Sequence, residues 1–321
     1  SVPMSQKQKP LLCLLAANVI FGFSFLFSKI AFSQTSPMLA LSIRFLLAFA
    51  LLNVLVLCKV VRLRIGGRDI RKLILVSLLE PTLYFICESY GIKWTSASFS
   101  GAVIALIPVA AMALGAIFLK EKPTLLQTLS MLCSIAGVVL ISVWGQQGGT
   151  VTLPGFLLLI GAVISSACYT LLTRKYSQDF TAFDRTYVTF AVSSCSFVLL
   201  AIVENRGELF HRTAQALSSL SFWGAILYLS VISSVVAFLM INYALTHISV
   251  TITASFNNLI TVVSVLAGVL LLHEPFSILQ VIAVALILLG VYGVNKLGAR
   301  PDAPQQEQMH SPSTLEQESD S

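Results

Sequence analysis

Ten long apolar runs constrain this chain more than any other feature of its sequence. A helix needs about 20 apolar residues to cross the ~30 Å hydrocarbon core of a bilayer. With 56% apolar and only 11% charged residues, the composition excludes a soluble globular protein. The sequence therefore predicts an all-α polytopic membrane protein with ten transmembrane helices, near residues 11–32, 36–58, 72–92, 97–119, 124–144, 154–174, 183–203, 222–245, 248–272 and 276–296.

The predicted organisation follows from these runs. Residues 1–10 form a short cytoplasmic N-terminus, 11–144 a first five-helix unit, 145–153 an outer linker, 154–296 a second five-helix unit and 297–321 a cytoplasmic tail. The first run exceeds the ~7–15 apolar residues of a signal peptide and no small-residue cleavage site follows it, so we interpret it as span 1. The tail is rich in Pro, Gln, Glu and Ser, which predicts disorder.

Basic residues predict the orientation, because Lys and Arg near the ends of spans are retained on the cytoplasmic side. With the N-terminus inside, fifteen of the twenty basic residues are cytoplasmic, three (Lys93, Arg206 and Arg212) are outside, and Lys29 and Arg44 lie within spans. Both termini are therefore predicted to be cytoplasmic, in a cell inner membrane. The net charge of +6 then requires no nucleic-acid partner.

The two five-helix units are internal repeats. In the first two spans of each unit, an offset of 145 residues places Lys29 on Arg174 and Phe45 on Phe190. Because five is an odd number, the two units must have opposite orientations in the bilayer. Inverted repeats of this kind are typical of alternating-access carriers, whose substrate site lies near the midplane between the units. Further along the chain the offset is 153 residues, and it matches Tyr90 with Tyr243, Leu106 with Leu259, Gly115 with Gly268, Leu119 with Leu272, Glu121 with Glu274, Gln127 with Gln280 and Gly137 with Gly290.

Several short motifs carry a family resemblance over residues 11–296. They are Phe21-Gly22-Phe23-Ser24-Phe25 with Lys29, the pair Arg44-Phe45, the segment Tyr90-Gly91-Ile92-Lys93-Trp94-Thr95-Ser96-Ala97, Pro108, and Leu119-Lys120-Glu121-Lys122. This set resembles the EamA-type permeases of the drug/metabolite transporter superfamily. The resemblance implies a ten-helix carrier of small metabolites with a central cavity built mainly from spans 1, 3, 4, 6, 8 and 9. It also implies that Ser24 and Tyr169 lie in cavity-facing stretches, with generic packing as the alternative.

Ionisable side chains inside the membrane are functional candidates, because each charge at the bilayer centre costs about 2.5–3.5 kcal/mol on insertion scales. Glu80, Tyr84 and Glu88 are spaced by four residues on span 3 and are predicted to form one polar stripe. Either carboxyl can carry a coupling proton or neutralise a cationic substrate. The structural alternatives are that Glu80 pairs with Arg44 or a hydroxyl, and that Glu88 reaches outer water or Lys93.

Two basic residues lie nearer the outer ends of their spans. Arg44 lies eight residues inside the outer end of span 2, at a depth between those of Glu80 and Glu88. This favours a structural ion pair with one of them, and contact with a substrate carboxylate is the alternative. Lys29 is three residues from the end of span 1 and can extend to the membrane interface as an anchor.

Uncharged residues complete the candidate set. Asn242 on span 8, with Asn257 and Asn258 on span 9, is expected either to join helices or to line the cavity, since amides in lipid need partners. Pro108 removes the hydrogen bond to the Ile104 carbonyl in span 4 and predicts a kink, either static or moving.

The repeat-matched acids Glu121 and Glu274 are interpreted as structural. Each one precedes a span, and a carboxylate beside a helix N-terminus is favoured by the helix dipole.

The predicted function is a secondary transporter that exports or exchanges small organic metabolites, with amino acids or related compounds as the expected substrates. Protons are a candidate coupling ion. An organic cation or polyamine carrier is the alternative within transport, and a passive channel or an intramembrane enzyme are the alternatives outside it. The expected partners are a small-molecule substrate and the lipid bilayer, with a homodimer left open. The sequence has no phosphate-binding loop, metal-ligand motif or nucleophile motif, so we expect no enzyme activity, cofactor or metal.

The predicted orientation has a direct test. Single cysteines introduced at Ser5 and at Ser311, in a variant without native cysteines, should react with a membrane-impermeant maleimide only in inverted vesicles, because the surrounding basic residues hold both ends inside. A cysteine at Arg206 is the matched control and should react only in right-side-out vesicles. Labelling of Ser5 and Ser311 positions from opposite faces would rule out an even number of spans.

Overall fold

The helical architecture predicted from the apolar runs is confirmed. The computed structural model describes residues 8–118, 120, 122–147, 151–176, 180–245 and 256–298, and in these ranges all the regular structure is helical. Nine of the helices in these ranges are long and apolar enough to cross a membrane. A shorter apolar helix, Asn258–Leu271, lies in the described part of the ninth predicted run, whose residues 248–255 are outside the described ranges.

We number the spans in chain order. Spans 1 to 7 are Gln8–Gln34, Pro37–Leu57, Arg71–Lys93, Ala97–Phe118, Leu125–Gln147, Leu153–Tyr176 and Ala182–Asn205. Span 8 is built from Leu220–Leu227, Tyr228–Val236 and Ala237–Leu245, span 9 is Asn258–Leu271 and span 10 is Ile278–Gly298. The outer face is the one that the basic residues predict to be outside. On it a helix that was not predicted, Leu209–Leu217, connects spans 7 and 8.

Spans 5 and 10 pack against each other as antiparallel helices. The Cys133 thiol lies 3.5 Å from the Leu286 carbonyl oxygen, and the Ser134 hydroxyl donates to the Ile287 carbonyl oxygen at 3.2 Å. Both pairs are separated by 153 residues, the offset of the repeat. A contact between a residue and its own repeat equivalent places the pseudo-two-fold axis between these two spans.

Two glycines allow spans 5 and 10 to approach closely. A methyl group at Gly137 would lie 2.7 Å from the Ala283 carbonyl oxygen and 2.8 Å from the Ile287 side chain. A methyl group at Gly290 would overlap the carbonyl oxygen of Ser130 and the side chain of Ser134. The residues around Gly137 and those around Gly290 are matched by the 153-residue offset, and the two helices run in opposite directions. The packing therefore has the inverted symmetry that the odd number of spans per repeat requires.

A second contact on the same axis joins spans 2 and 7. The rings of Phe45 and Phe190, which are matched by the 145-residue offset, meet edge to face with centroids 5.3 Å apart. Phe85 and Phe197 pack on Phe45 at 5.3 and 5.2 Å. The halves also interleave, since span 3 packs on spans 6 and 7 while span 8 packs on spans 1 and 2. The third helix of each half therefore lies against the first two helices of the other half.

Spans 3 and 8 each depart from α-helical geometry at the same place in the repeat, in a segment that we call the π-turn, and in span 3 this segment is a break with extended backbone at Glu80. In span 3 it covers Leu78–Leu83 and in span 8 it covers Tyr228–Val236. The 153-residue offset carries the first segment onto residues 231–236, inside the second. Such turns are rare within α-helices and are frequent at functional sites. Span 4 is interrupted as well, between Ile104 and Ile107, and Pro108 is the second residue of the helix that follows.

The outer ends of spans 3 and 4 are held by side chains from distant parts of the chain. Lys29 donates to the carbonyl oxygens of Ile92, Lys93 and Thr95 at 2.8, 3.1 and 2.5 Å, where span 3 ends. The Glu274 carboxylate accepts from the amides of Ala97 and Ser98 at 2.7 and 3.0 Å, where span 4 begins.

One of these two contacts differs from the sequence interpretation. Lys29 is predicted to extend to the interface, and its ammonium group, beside the outer cavity, caps the C-terminal carbonyls of span 3. Glu274 was expected at the start of its own following span, whereas it caps span 4. The helix-dipole argument was correct in its physics, but the helix that benefits is a different one. Glu121 lies outside the described residues.

The close approach of spans 5 and 10 gives a stability prediction. Replacement of Gly290 by alanine should lower the free energy of unfolding by about 1–3 kcal/mol, because overpacking outweighs the gain in helix propensity. Replacement of Gly224 by alanine is the matched control, since a methyl group there meets no atom within 4 Å. Apparent melting temperatures in detergent measure both effects. Equal shifts for the two variants would contradict the packing described for the axis.

Candidate functional site

Glu80 lies at the π-turn of span 3, where the helix is broken. Its backbone is extended, with φ −144° and ψ 126°, in the middle of an otherwise helical span. The carbonyl oxygen of Leu79, freed by the break, accepts a hydrogen bond of 2.6 Å from the Ser165 hydroxyl of span 6. The next residue of span 6, Ser166, lies close enough to the Glu80 carboxyl to interact with it. The Oε2 atom of Glu80 is buried and has no hydrogen-bond partner among the described residues.

Tyr84 and Glu88 form a buried pair one helical turn apart. The Tyr84 hydroxyl donates to Oε1 of Glu88 at 2.7 Å, and both residues are less than a tenth exposed. Glu80 is close enough to act on both side chains electrostatically. Glu88 therefore neither reaches outer water nor pairs with Lys93, which were the structural alternatives drawn from the sequence.

Arg44 is buried between spans 2, 3 and 8. Its Nε atom donates to the Ser234 hydroxyl at 3.1 Å, and that hydroxyl donates in turn to the Leu229 carbonyl oxygen at 2.7 Å within the π-turn of span 8. The guanidinium carbon lies 4.8 Å from the ring centre of Phe85 and 5.5 Å from that of Phe45.

No carboxylate of the described residues comes within 4.0 Å of the Arg44 guanidinium. The ion pair suggested by the sequence is therefore replaced by two aromatic rings and one serine. The Tyr84 hydroxyl is instead the hydrogen-bond partner of Oε1 of Glu88. Glu88 still acts on Arg44 through space.

Ser24 and Ser233 join span 1 to the π-turn of span 8. Their hydroxyl oxygens are 2.7 Å apart. Ser233 is the repeat equivalent of Glu80 at the 153-residue offset. Its neighbour Ser234 bonds Arg44, which acts electrostatically on Tyr84 of span 3. Ser233 and Ser234 are predicted from the sequence only as polar residues of span 8, and Ser166 is not among the predicted residues. The repeat offset was the signal that could have found Ser233, because it carries Glu80 onto that serine.

The remaining candidates lie elsewhere or have other contacts. Asn258 donates from Nδ2 to the Leu288 carbonyl oxygen of span 10 at 3.3 Å, which is the helix-joining arrangement, and its buried Oδ1 has no partner among the described residues. Asn257 is exposed at the start of span 9, and Tyr169 is half-buried on span 6. The side chain of Asn242 lies outside the described residues.

We call the group of residues at the two π-turns the seam cluster. It combines one base and two acids with hydroxyls from both halves, and it lies between helices that belong to different repeats. Its members are Ser24, Arg44, Glu80, Tyr84, Glu88, Ser233 and Ser234.

Two cavities flank the membrane part of the protein. On the outer face a cavity of about 900 Å³ is lined by the ends of spans 1, 2 and 3 and by the connecting helix, including Lys29, Lys93, Glu208 and Arg212. A smaller groove of about 310 Å³ lies at the other end of spans 3 and 6, beside Lys72 and Leu172. Among the described residues, no three His, Cys, Asp or Glu side chains come together as a metal site.

Known proteins are similar to this chain in sequence and in fold. The family sequence model of the EamA-like transporter family matches residues 8–143 and again residues 153–296. The uncharacterized transporter YcxC of Bacillus subtilis is 33% identical over 299 residues, covering 89% of this chain and 94% of that protein. An uncharacterized transporter of Archaeoglobus fulgidus is 27% identical, covering 87% of this chain and 96% of its own length.

Two more distant similarities agree with this. A WAT1-related chloroplast protein of Arabidopsis thaliana is 26% identical over 69% of this chain and 54% of its own length. A solved crystal structure has the same fold, with a TM-score of 0.59 and 17% identity over 89% of this chain and 96% of that one. The family model matches each five-helix repeat separately and together covers almost all of the membrane part. The chain therefore belongs to the EamA-like transporter family, and it is a multi-pass membrane transporter.

Proposed function

We propose that this protein is a secondary transporter of small organic metabolites, namely amino acids or related compounds, and that it works by alternating access. The observation that carries the proposal is that Glu80 and Ser233, which are repeat equivalents, both lie in segments that depart from α-helical geometry and contact the other repeat. In a carrier with inverted repeats, the halves can exchange conformations about the axis between them. A site on the interface between the halves is then opened to one side of the membrane at a time.

The seam cluster supplies the groups that a metabolite needs in a dry site. Buried polar atoms without partners are costly inside a protein, and the seam cluster retains such an atom at Glu80 Oε2. A carboxyl at that position can bind an ammonium group or a proton. Glu80 is therefore proposed as the coupling residue and Glu88, held by Tyr84, as a second charge that tunes it. The proposed setting is an inner membrane with both termini cytoplasmic and net export or exchange.

A carrier of organic cations or polyamines is the second candidate. The observation that favours it is the excess of acids, since the seam cluster contains two carboxyls and one guanidinium. The two candidates differ in what Arg44 does, because a guanidinium repels a purely cationic solute and attracts a carboxylate.

Proteoliposomes test the proposed function. The purified protein, loaded with one unlabelled solute at a time, should drive counterflow of the same labelled solute for at least one amino acid, since alternating access exchanges solute across the membrane. With Glu80→Gln, uptake that depends on a pH gradient should fall by about 10-fold or more while counterflow at equal pH persists, because the amide cannot release a proton. Glu208→Gln is the matched control, because Glu208 is an exposed acid of the connecting region, paired with Arg212 at 2.9 Å.

Four outcomes would contradict this proposal. Flux without saturation or counterflow indicates a channel, and a chemically altered product indicates an enzyme. Unchanged pH dependence in Glu80→Gln makes Glu80 a structural residue. Counterflow of polyamines without any amino acid favours the second candidate.

A further inference from the structure

We infer that Arg44 is the receptor for a carboxylate group of the transported solute, an inference that rests on the proposed transport function. The side chain has five N–H donors, one on Nε and four on its two terminal nitrogens. Only Nε is used, in the bond to the Ser234 hydroxyl. The four terminal donors make no hydrogen bond to the described residues, although Arg44 is only 7% exposed.

The surroundings of Arg44 hold the guanidinium in one orientation. Phe85 packs under the guanidinium at 4.8 Å, and Phe45 lies at 5.5 Å. Phe45 is fixed in turn, because it sits on the pseudo-two-fold axis against Phe190 and Phe197. Ser234 anchors Nε to the π-turn of span 8. A planar guanidinium fixed in this way loses little conformational freedom on binding and can offer two parallel N–H bonds to a carboxylate.

The protein does not supply that carboxylate itself. The two acids of the seam cluster stay more than 4.0 Å from the guanidinium, and Oε1 of Glu88 is bonded to Tyr84. The guanidinium remains charged at neutral pH. Its two terminal nitrogens are not among the fully buried atoms without a partner, so they keep some accessible surface and four donors that no described residue uses. A buried charge is stabilised only when it is paired and hydrogen-bonded. A carboxylate on the solute provides both the charge and the two acceptor oxygens.

The same region also offers a partner for a cationic group. Oε2 of Glu80 is buried and accepts no hydrogen bond from the described residues. A carboxylate on the solute satisfies Arg44, and an ammonium group or a proton can satisfy Glu80. The inferred substrate class is therefore carboxylic acids, amino acids among them, whereas polyamines leave Arg44 unsatisfied and bring a like charge to it.

Binding measured without transport tests this inference separately from the proposed function. The full-length protein in detergent is heated with each proteinogenic amino acid, with its carboxamide and with its decarboxylated amine. At least one amino acid should raise the melting temperature, and its carboxamide and amine should bind about 10- to 100-fold more weakly, because each lacks the charge that the guanidinium recognises. The inference is overturned if no amino acid raises the melting temperature, or if an amide or amine does so as well as the acid.

Variants assign the discrimination to Arg44. Arg44→Met should reduce the preference for the acid over the amide to about 1-fold, whereas Arg44→Lys should keep part of it, because an ammonium group retains the charge without the paired N–H geometry. Arg212→Met is the matched control, since that arginine is exposed and bonded to Glu208. An undiminished preference in Arg44→Met overturns the inference. If that variant does not fold, the comparison of acid, amide and amine in the native protein decides.

Transport measurements distinguish a failure of this inference from a failure of the proposed function. Counterflow of a solute whose amide competes equally would overturn the role of Arg44 and leave the proposed transport function standing. Stabilisation by an amino acid without counterflow would support the role of Arg44 and contradict the proposed transport function.

Discussion

The close antiparallel packing of spans 5 and 10 is the constraint on which the rest of the structure depends. Gly137 and Gly290 leave no room for a side chain, so the two helices meet at the same point of each repeat. This contact, with the Phe45–Phe190 pair between spans 2 and 7, defines the pseudo-two-fold axis. Once the axis is fixed, the third helix of each half must lie against the first two helices of the other. The interface between the halves is therefore formed by interleaved helices in the middle of the protein.

Non-helical backbone in a membrane is tolerated only where the protein satisfies its polar groups. The break at Glu80 meets that condition, because Ser165 and Ser166 of span 6, from the other repeat, supply hydroxyls. The equivalent turn in span 8 is held by Ser234, which bonds the Leu229 carbonyl and receives Arg44. Each repeat thus needs the other to keep its π-turn. This mutual dependence links the position of the seam cluster to the relative position of the halves, which is the coupling that alternating access requires.

The sequence was sufficient for the fold and for the choice of charged residues, but not for their contacts. Apolar length predicted the spans, and the offset that matched Gly137 with Gly290 predicted the repeat, although not that spans 5 and 10 meet on its axis. The pairing of Arg44 was misjudged, because span order and depth do not reveal that two rings and Ser234 surround it. The break in span 3 has a local signal, because Pro81 follows Glu80, whereas the turn in span 8 has none and is held by Ser234 of the same span. The helix Leu209–Leu217 is short and amphipathic, so a search for long apolar runs passes over it.

The central claim is that the interface between the halves opens to each face of the membrane in turn. It is tested most directly by cysteine accessibility at Ser233, which is only 2% exposed and contacts Ser24 of span 1. In a variant without native cysteines, Ser233→Cys should react with a small impermeant thiol reagent from both faces, in right-side-out and in inverted vesicles. A transported solute should slow both reactions. Reaction from one face only, at a rate that no solute changes, would contradict the account.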